Sequence, residues 1–290
     1  GELYDNYLDH TTKMNIFKYM HFYNGGGVGI ADFNNDGKKD IFFTGNMVEN
    51  EMFLNEGDFK FKDVTNKTGI KKDAAWSNGV SVVDINNDGM MDLYISQVGS
   101  FDMFKGHNQL YVCKAIENGI PVYEEQSAQY GLNLVGYGTQ AVFFDYDLDG
   151  DLDMYQLNHS THNNGTFGQR SSFLGTFHEQ SGDKLMRNDN NHFTDVTKTS
   201  GIHSSVIGYG LGVVASDVNL DGYPDLYIGN DFHENDYLYI NQKNGTFKDV
   251  TEEQLMHTSR FSMGVDAADL HNNDINEIIP LDMFPESPAL

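Results

Sequence analysis

Apolar residues in this chain fall in short runs that alternate with polar ones, as in Gly79-Val-Ser-Val-Val83 and Leu93-Tyr-Ile-Ser96. Runs of this length, bounded by Gly, Asn and Asp, predict β-strands. They recur in a fixed order. A strand opening with Gly and a small apolar residue starts at Gly27-Val28, Gly79-Val80, Gly212-Val213 and Gly264-Val265, with Gln140-Ala141 as the divergent copy. A second follows a short polar loop, as in Asp40-Ile-Phe-Phe43 and Asp225-Leu-Tyr-Ile228. A third reads Met52-Phe-Leu-Asn55, Leu110-Tyr-Val112, Lys184-Leu-Met-Arg-Asn188 and Tyr237-Leu-Tyr-Ile-Asn241. A fourth reads Phe61-Lys-Asp-Val-Thr65, Phe193-Thr-Asp-Val-Thr197 and Phe247-Lys-Asp-Val-Thr251, with Tyr123-Glu-Glu-Gln-Ser127 diverging.

Four short strands per unit, repeating at intervals of 52, 61, 72 and 52 residues, predict an all-β fold, a β-propeller of four-stranded blades. Residues 1–23 form an extended lead-in, with Phe17, Met20, Phe22 and Tyr23 as its apolar weight. Blades span approximately 24–75, 76–136, 137–207, 208–260 and a partial 261–290, about four and a half in all. The longer intervals place insertions near 99–108 and 158–182, the expected specificity elements. Pro285 and Pro288 interrupt the last unit. Either residues 1–23 supply the outer strands of the fifth blade and close a small ring, or chain beyond Leu290 completes a larger, seven-bladed ring. Residues 11–23 lack the Phe-x-Asp-Val-Thr signature of a fourth strand, which favours the larger ring.

The loop between first and second strands carries the candidate chemistry. Asp217-Val-Asn-Leu-Asp-Gly-Tyr-Pro-Asp225 puts oxygen side chains at positions 1, 3, 5 and 9 and Gly222 at position 6, where the chain must bend back. Asp217, Asn219 and Asp221 can converge on one point, Tyr223 can add its carbonyl, and Asp225 can close the cage. Hard oxygen ligands in that number suit Ca²⁺, which takes about six to eight. The same set recurs as Asp32, Asn34, Asp36, Lys38 (carbonyl) and Asp40. It returns as Asp84, Asn86, Asp88, Met90 (carbonyl) and Asp92, and as Asp145, Asp147, Asp149, Asp151 (carbonyl) and Asp153. A fifth, degraded loop offers Asp269, Asn273 and Glu277, with His271 in place of an oxygen ligand and Asp274 in place of glycine. The expectation is four Ca²⁺ sites and an uncertain fifth, with a structural role for the ions. An EF-hand would need an acid at position 12 and flanking helices. Position 12 is Phe43, Ile95, Gln156 or Ile228, and the flanks read as strands.

Composition narrows the function. A net charge of −25 argues against nucleic acid as a partner, and fifteen of the acidic side chains stand at ligand positions. Cys113 is the only cysteine, so no internal disulfide forms, and calcium can replace disulfides as staples outside the cell. Such loops in extracellular modules bind at about 10⁻⁴–10⁻³ M, which points to an exported location. No signal peptide or transmembrane segment stands in the sequence, and the abrupt start at Gly1 is read as a leader already removed.

The repeats resemble the FG-GAP/VCBS repeats of integrin-type propellers. Asn24-Gly-Gly-Gly-Val-Gly-Ile-Ala-Asp-Phe-Asn-Asn-Asp-Gly37 is similar to the large bacterial VCBS-repeat proteins that often end in an ASPIC/UnbV domain, although no such domain is recognisable here. The resemblance implies an envelope protein, often an outer-membrane lipoprotein of Bacteroidota, found near SusC/SusD-type transporters. The reading is therefore a binding or scaffolding module, not an enzyme, with a protein or glycan at the cell surface as partner. The alternative is a polysaccharide lyase or hydrolase using His159, His162 and His178, with Glu179 and Asp183 nearby, in the 158–182 insertion. Convergence of these histidines in one cleft would favour catalysis. Trp76, Tyr209 and Phe261, each just before a first strand, are expected to pack between blades.

Overall fold

A computed structural model describes residues 4–161 and 168–283. Its described residues are all-β, built from repeated four-stranded sheets that run in chain order, the architecture of propeller blades. The first sheet holds β1 (Val28–Ala31), β2 (Asp40–Phe43), β3 (Glu51–Gly57) and β4 (Lys60–Asp63). The second holds β5 (Ser77–Val83), β6 (Asp92–Gln97), β7 (Gln109–Glu117) and β8 (Ile120–Glu125). The third holds β9 (Gly138–Phe144), β10 (Asp153–Asn158), β11 (Lys184–Asn188) and β12 (Phe193–Asp195). The fourth holds β13 (Gly210–Ser216), β14 (Asp225–Asn230), β15 (Tyr237–Asn241) and β16 (Phe247–Asp249). A two-stranded sheet of β17 (Ser262–Ala268) and β18 (Glu277–Asp282) follows. The candidate histidine His162 and the prolines Pro285 and Pro288 lie outside the described residues.

The chain divides into two compact units, residues 1–141 with 189–193 and residues 142–188 with 194–290. In the first, Phe42, Met52, Leu93, Ile95 and Tyr111 form the core. In the second, Tyr155, Leu157, Leu185, Leu226, Ile228 and Tyr239 do so. The strands β6, β10 and β14 are buried along their whole length, polar residues included, whereas among the first strands β1 alternates between exposed and buried positions.

Two sequence signals acquire physical reasons. In Phe-x-Asp-Val-Thr, the Asp ends the fourth strand and its carboxylate accepts the Thr N–H, as from Thr197 to Asp195 at 3.0 Å. The Thr hydroxyl accepts from the third strand, Leu185 N to Thr197 Oγ1 at 3.0 Å, while Val196 N donates to the Leu185 carbonyl. The same bonds join Asp249, Thr251 and Leu238, and Asp63, Thr65 and Met52. The glycine opening the first strand marks close backbone approach at Gly27, Gly79 and Gly212, though a Cβ on Gly264 would meet nothing within 4 Å. A Cβ on Gly79 would stand 2.5 Å from the Thr139 carbonyl, and one on Gly212 would stand 2.7 Å from Val265 N.

The lead-in differs from its expected extended form. Residues 12–24 are bends and turns, bonded through Tyr19 N to Asn15 O and Phe22 N to Tyr19 O. Met14, Tyr19 and Phe22 are buried against Trp76, Val98 and Phe104, whereas Phe17 and Tyr23 are exposed. Aromatic contact with Trp76, not strand pairing, holds this segment down, and it contains no strand that extends the β17–β18 sheet. No described helix is long and apolar enough to cross a membrane.

Candidate metal centre

Each candidate loop joins the first and second strands of its blade and is shaped by the carboxylate at position 1. Asp32 accepts Asp36 N at 2.9 Å on one oxygen and Gly37 N at 2.7 Å on the other. Asp84, Asp145, Asp217 and Asp269 make the corresponding pair of bonds. The bend needs positive φ at position 6, where Gly37, Gly89, Gly150 and Gly222 lie between +83° and +98°. Asp274 takes the same turn at +64°. Position 4 is also left-handed, at Asn35, Asn87, Leu148, Leu220 and Asn272. Sequence reasoning passed over that position, although three asparagines there were the available signal.

Position 9 has a role of its own. Asp40, Asp92, Asp153 and Asp225 are wholly buried. One carboxylate oxygen accepts an N–H from position 2 of the loop: Phe33, Ile85, Tyr146 or Val218. The other accepts from the third strand: Asn55, Cys113, Asn188 or Asn241. Each position-9 carboxylate thus ties the loop to two strands of its own blade. Burial pushes Asp92 up to about 6 and Asp153 up to about 7, with neighbouring loop aspartates adding to the shift and the backbone donors opposing it.

The third loop comes nearest to a formed cage. Asp145, Asp147 and Asp149 each place an oxygen within 4.8 Å of the others, the one such group among the described residues. Two ligands at about 2.3–2.6 Å from a shared Ca²⁺ can lie no farther apart than about 5 Å, so the spacing fits. Asp147 Oδ1 is buried without a hydrogen-bond partner, an orphaned acceptor that a cation would satisfy. Burial, then Asp149 and Asp145, raises the Asp147 pKa, which is the electrostatic cost a divalent ion offsets. Asp151 N donates to Asp149 at 2.9 Å, and the position-7 residues Lys38, Met90 and Tyr223 repeat that bond to Asp36, Asp88 and Asp221. Position-3 oxygens at Asn34, Asn86 and Asn219 accept the position-5 N–H.

The loops are not alike in charge. Lys38 Nζ lies 2.9 Å from Asp36 Oδ2 and Lys243 Nζ lies 3.3 Å from Asp221 Oδ2. Both carboxylates have lowered pKa values: for Asp36 the hydrogen bond from Lys38 leads, and for Asp221 hydrogen bonds from Tyr223 and Lys243 outweigh burial. In the fifth loop the Glu277 carboxylate accepts Leu270 N at 2.9 Å and pairs with His271 Nδ1 at 2.7 Å, so histidine faces the position-9 acid.

The described residues of the alternative catalytic cluster lie in different surroundings. His178 and Glu179 line a cavity of about 540 Å³ with Lys184, Asp195 and Ser204. His159 is buried, bridged to Tyr209, and is not among that cavity's lining residues. Asp183 is buried against Tyr155 and Asn158. Trp76 and Tyr209 are almost wholly buried, while Phe261 is partly exposed beneath Arg260.

Residues 32–95 and 217–279 match the FG-GAP-like repeat family, so the chain carries FG-GAP-like repeats; these spans include the first, second, fourth and fifth loops. Human cartilage acidic protein 1 is 29% identical over 133 residues, 45% of this chain and 20% of that protein. The Xenopus tropicalis protein of the same name is 28% identical over 142 residues, 47% of this chain and 20% of its own. The chain thus spans about a fifth of the curated relatives it matches, and these are vertebrate proteins. A solved structure concerning recognition of non-reducing terminal N-acetylglucosamine by an Agrocybe aegerita lectin covers 78% of this chain and 80% of its own, at 14% identity. Its TM-score of 0.24 carries no argument.

Proposed function

We propose that this chain is a non-enzymatic binding or scaffolding module of an exported protein, with Ca²⁺ holding its blade loops. FG-GAP-like repeats support the propeller-type module. The observation that carries the calcium assignment is the convergence of Asp145, Asp147 and Asp149, with Asp147 Oδ1 buried and unpaired. Asp84, Asp88 and Asn86 would hold a second ion, and the first and fourth loops would bind with a lysine opposing the metal. The ion supplies charge neutralisation and loop closure; the chain's own position-1 and position-9 carboxylates orient the loop around it. The fifth loop, with His271 on Glu277, is the weakest candidate.

The bacterial outer-membrane placement and a SusC/SusD-type partner complex belong to this proposal, supported by the sequence run 24–37. A protein or glycan at the cell surface is the expected ligand. Scanning calorimetry with calcium and with EGTA tests the calcium role. Sites filled at about 100 times their Kd would contribute ~2.7 kcal/mol each. An unchanged melting temperature would sink the assignment. A glycan array and a pull-down from native envelopes test the binding role.

A further inference from the structure

A second polar cavity, away from the calcium loops, has the features of a built ligand site. It measures about 330 Å³ and lies in the first unit, between the segment preceding β5 and the insertion between β6 and β7. Its floor is a hydrogen-bonded relay of buried amides. Gln97 Nε2 donates to Ser77 Oγ at 3.0 Å and to Gln109 Oε1 at 3.3 Å, and Gln109 Nε2 donates to Asp73 Oδ2 at 3.2 Å. Gln97 and Gln109 are almost wholly buried. The relay ends on an unmet acceptor: Asp73 Oδ1 is buried and has no hydrogen-bond partner. A buried carboxylate oxygen left in that state costs free energy until a donor arrives.

The fourth blade has a smaller cavity whose acid is already paired. Tyr209 stands one residue before β13, as Trp76 stands one before β5. Beside Tyr209 lies a cavity of about 150 Å³ lined by the protein's own Arg170 and by Glu234. Arg170 Nε and Nη2 both reach Glu234 Oε1 at 2.9 Å, and the Tyr237 hydroxyl donates to the same oxygen at 2.7 Å. The fourth-blade acid is therefore satisfied from within, while Asp73 in the second blade awaits an external donor.

The rim selects the donor. Lys71 and Lys105 line the cavity, and neither ammonium has an ion-pair partner among the described residues. An incoming ammonium or guanidinium would meet two like charges. A hydroxyl donor avoids that cost, and a carboxylate on the same molecule would gain from both lysines. Met103, half exposed at the mouth, offers an apolar wall to the C–H face of a ring. We infer that this cavity binds a uronic acid residue of an acidic polysaccharide, its hydroxyls on Asp73 and Gln109 and its carboxylate on Lys71 and Lys105. The inference rests on the binding-module reading and names the ligand class and place.

The test is calorimetric titration of the calcium-loaded chain with trigalacturonate, with galactotriose and glutamate as neutral and zwitterionic controls. The expected result is saturable binding of trigalacturonate over both controls. Asp73→Ala and Lys105→Ala should each raise Kd about tenfold or more, the loss typical of a hydrogen bond to a charged group. Lys105 is exposed, so its variant tests the site even if Asp73→Ala folds poorly. Absence of trigalacturonate binding overturns the inference, as does equal binding of galactotriose or glutamate, or binding indifferent to both substitutions. A glycan array on the same protein separates the two readings. Array binding unaffected by the pocket variants removes this site alone, and a silent array together with a silent pull-down removes the binding module as well.

Discussion

The Tyr155 hydroxyl donates to Asp183 Oδ2 at 2.8 Å, and the other Asp183 oxygen accepts Asn158 N at the same distance. The pair locks the end of β10 to the start of β11, and it recurs. Tyr227 donates to Asp236 at 2.7 Å, with Asn230 N on the second oxygen. In the second blade the acid is an amide: Asn108 Nδ2 donates to the Tyr94 hydroxyl at 2.9 Å and its oxygen accepts Gln97 N. In the first blade Phe42 stands where the tyrosine would be. Asn50 accepts Gly45 N there, and its Nδ2 has no partner.

Asp183 therefore has a natural replacement. Burial pushes its pKa up to about 7, against the lowering effect of Asn158, Tyr155 and the nearby His203. A raised folded-state carboxylate pKa means the folded protein holds a proton that the unfolded chain has released between about pH 4 and 7. This residue therefore costs stability at high pH, and the cost fades as pH falls through that window. Asp183→Asn should gain over the parent at pH 8 relative to pH 5, on the order of 2 kcal/mol. Urea unfolding at both pH values, in constant calcium, reads this out; equal differences at the two pH values would refute it.

Phe42→Tyr should place a hydroxyl beside the orphaned Asn50 amide and stabilise the first blade by up to about 1 kcal/mol. A loss above about 1 kcal/mol in chemical denaturation would show that the first blade lacks room for the oxygen.

Positions 5 and 9 of the candidate calcium loops should part company in EGTA. Asp225→Ala strands the Val218 and Asn241 N–H groups and should cost about 2–5 kcal/mol with or without calcium. Asp149→Ala should lose most of its effect once the metal is chelated. Melting temperatures of the two variants in both buffers decide it, and matching calcium dependence would contradict the division of roles.

Gly79→Ala should destabilise the second blade, because its Cβ would stand 2.5 Å from the Thr139 carbonyl oxygen. Overpacking of that kind costs about 1–3 kcal/mol or more. Gly222→Ala is strained for another reason, its φ of +89°, although nothing lies near its Cβ. A Gly79 variant as stable as the parent would mean the neighbouring strand moves aside at no cost.

Much was legible because it is local. Phe-x-Asp-Val-Thr could be recognised along the chain because Asp195 and Thr197 cap the same turn and differ by two positions. The loop glycines were equally readable, since a left-handed turn is a property of one residue. The tyrosine–Asx pairs were not. Their partners stand 14, 28 and 9 residues apart, and insertions of different length erase any periodic signal.

From the sequence alone came the strands, their grouping in fours, and five loops with oxygen ligands at set spacing, because strand pleat and tight turns depend on neighbours within a few positions. Tertiary structure decided which oxygens were free to act. It turned Asp40, Asp92, Asp153 and Asp225 inward onto backbone donors of their own loop and of the third strand, and it left Asp147 Oδ1 and Asp73 Oδ1 without one. It folded the lead-in as turns on Trp76 instead of an extended arm. Burial and hydrogen-bond satisfaction are set by strands that meet only after the blade is built, so no window of the chain contains them.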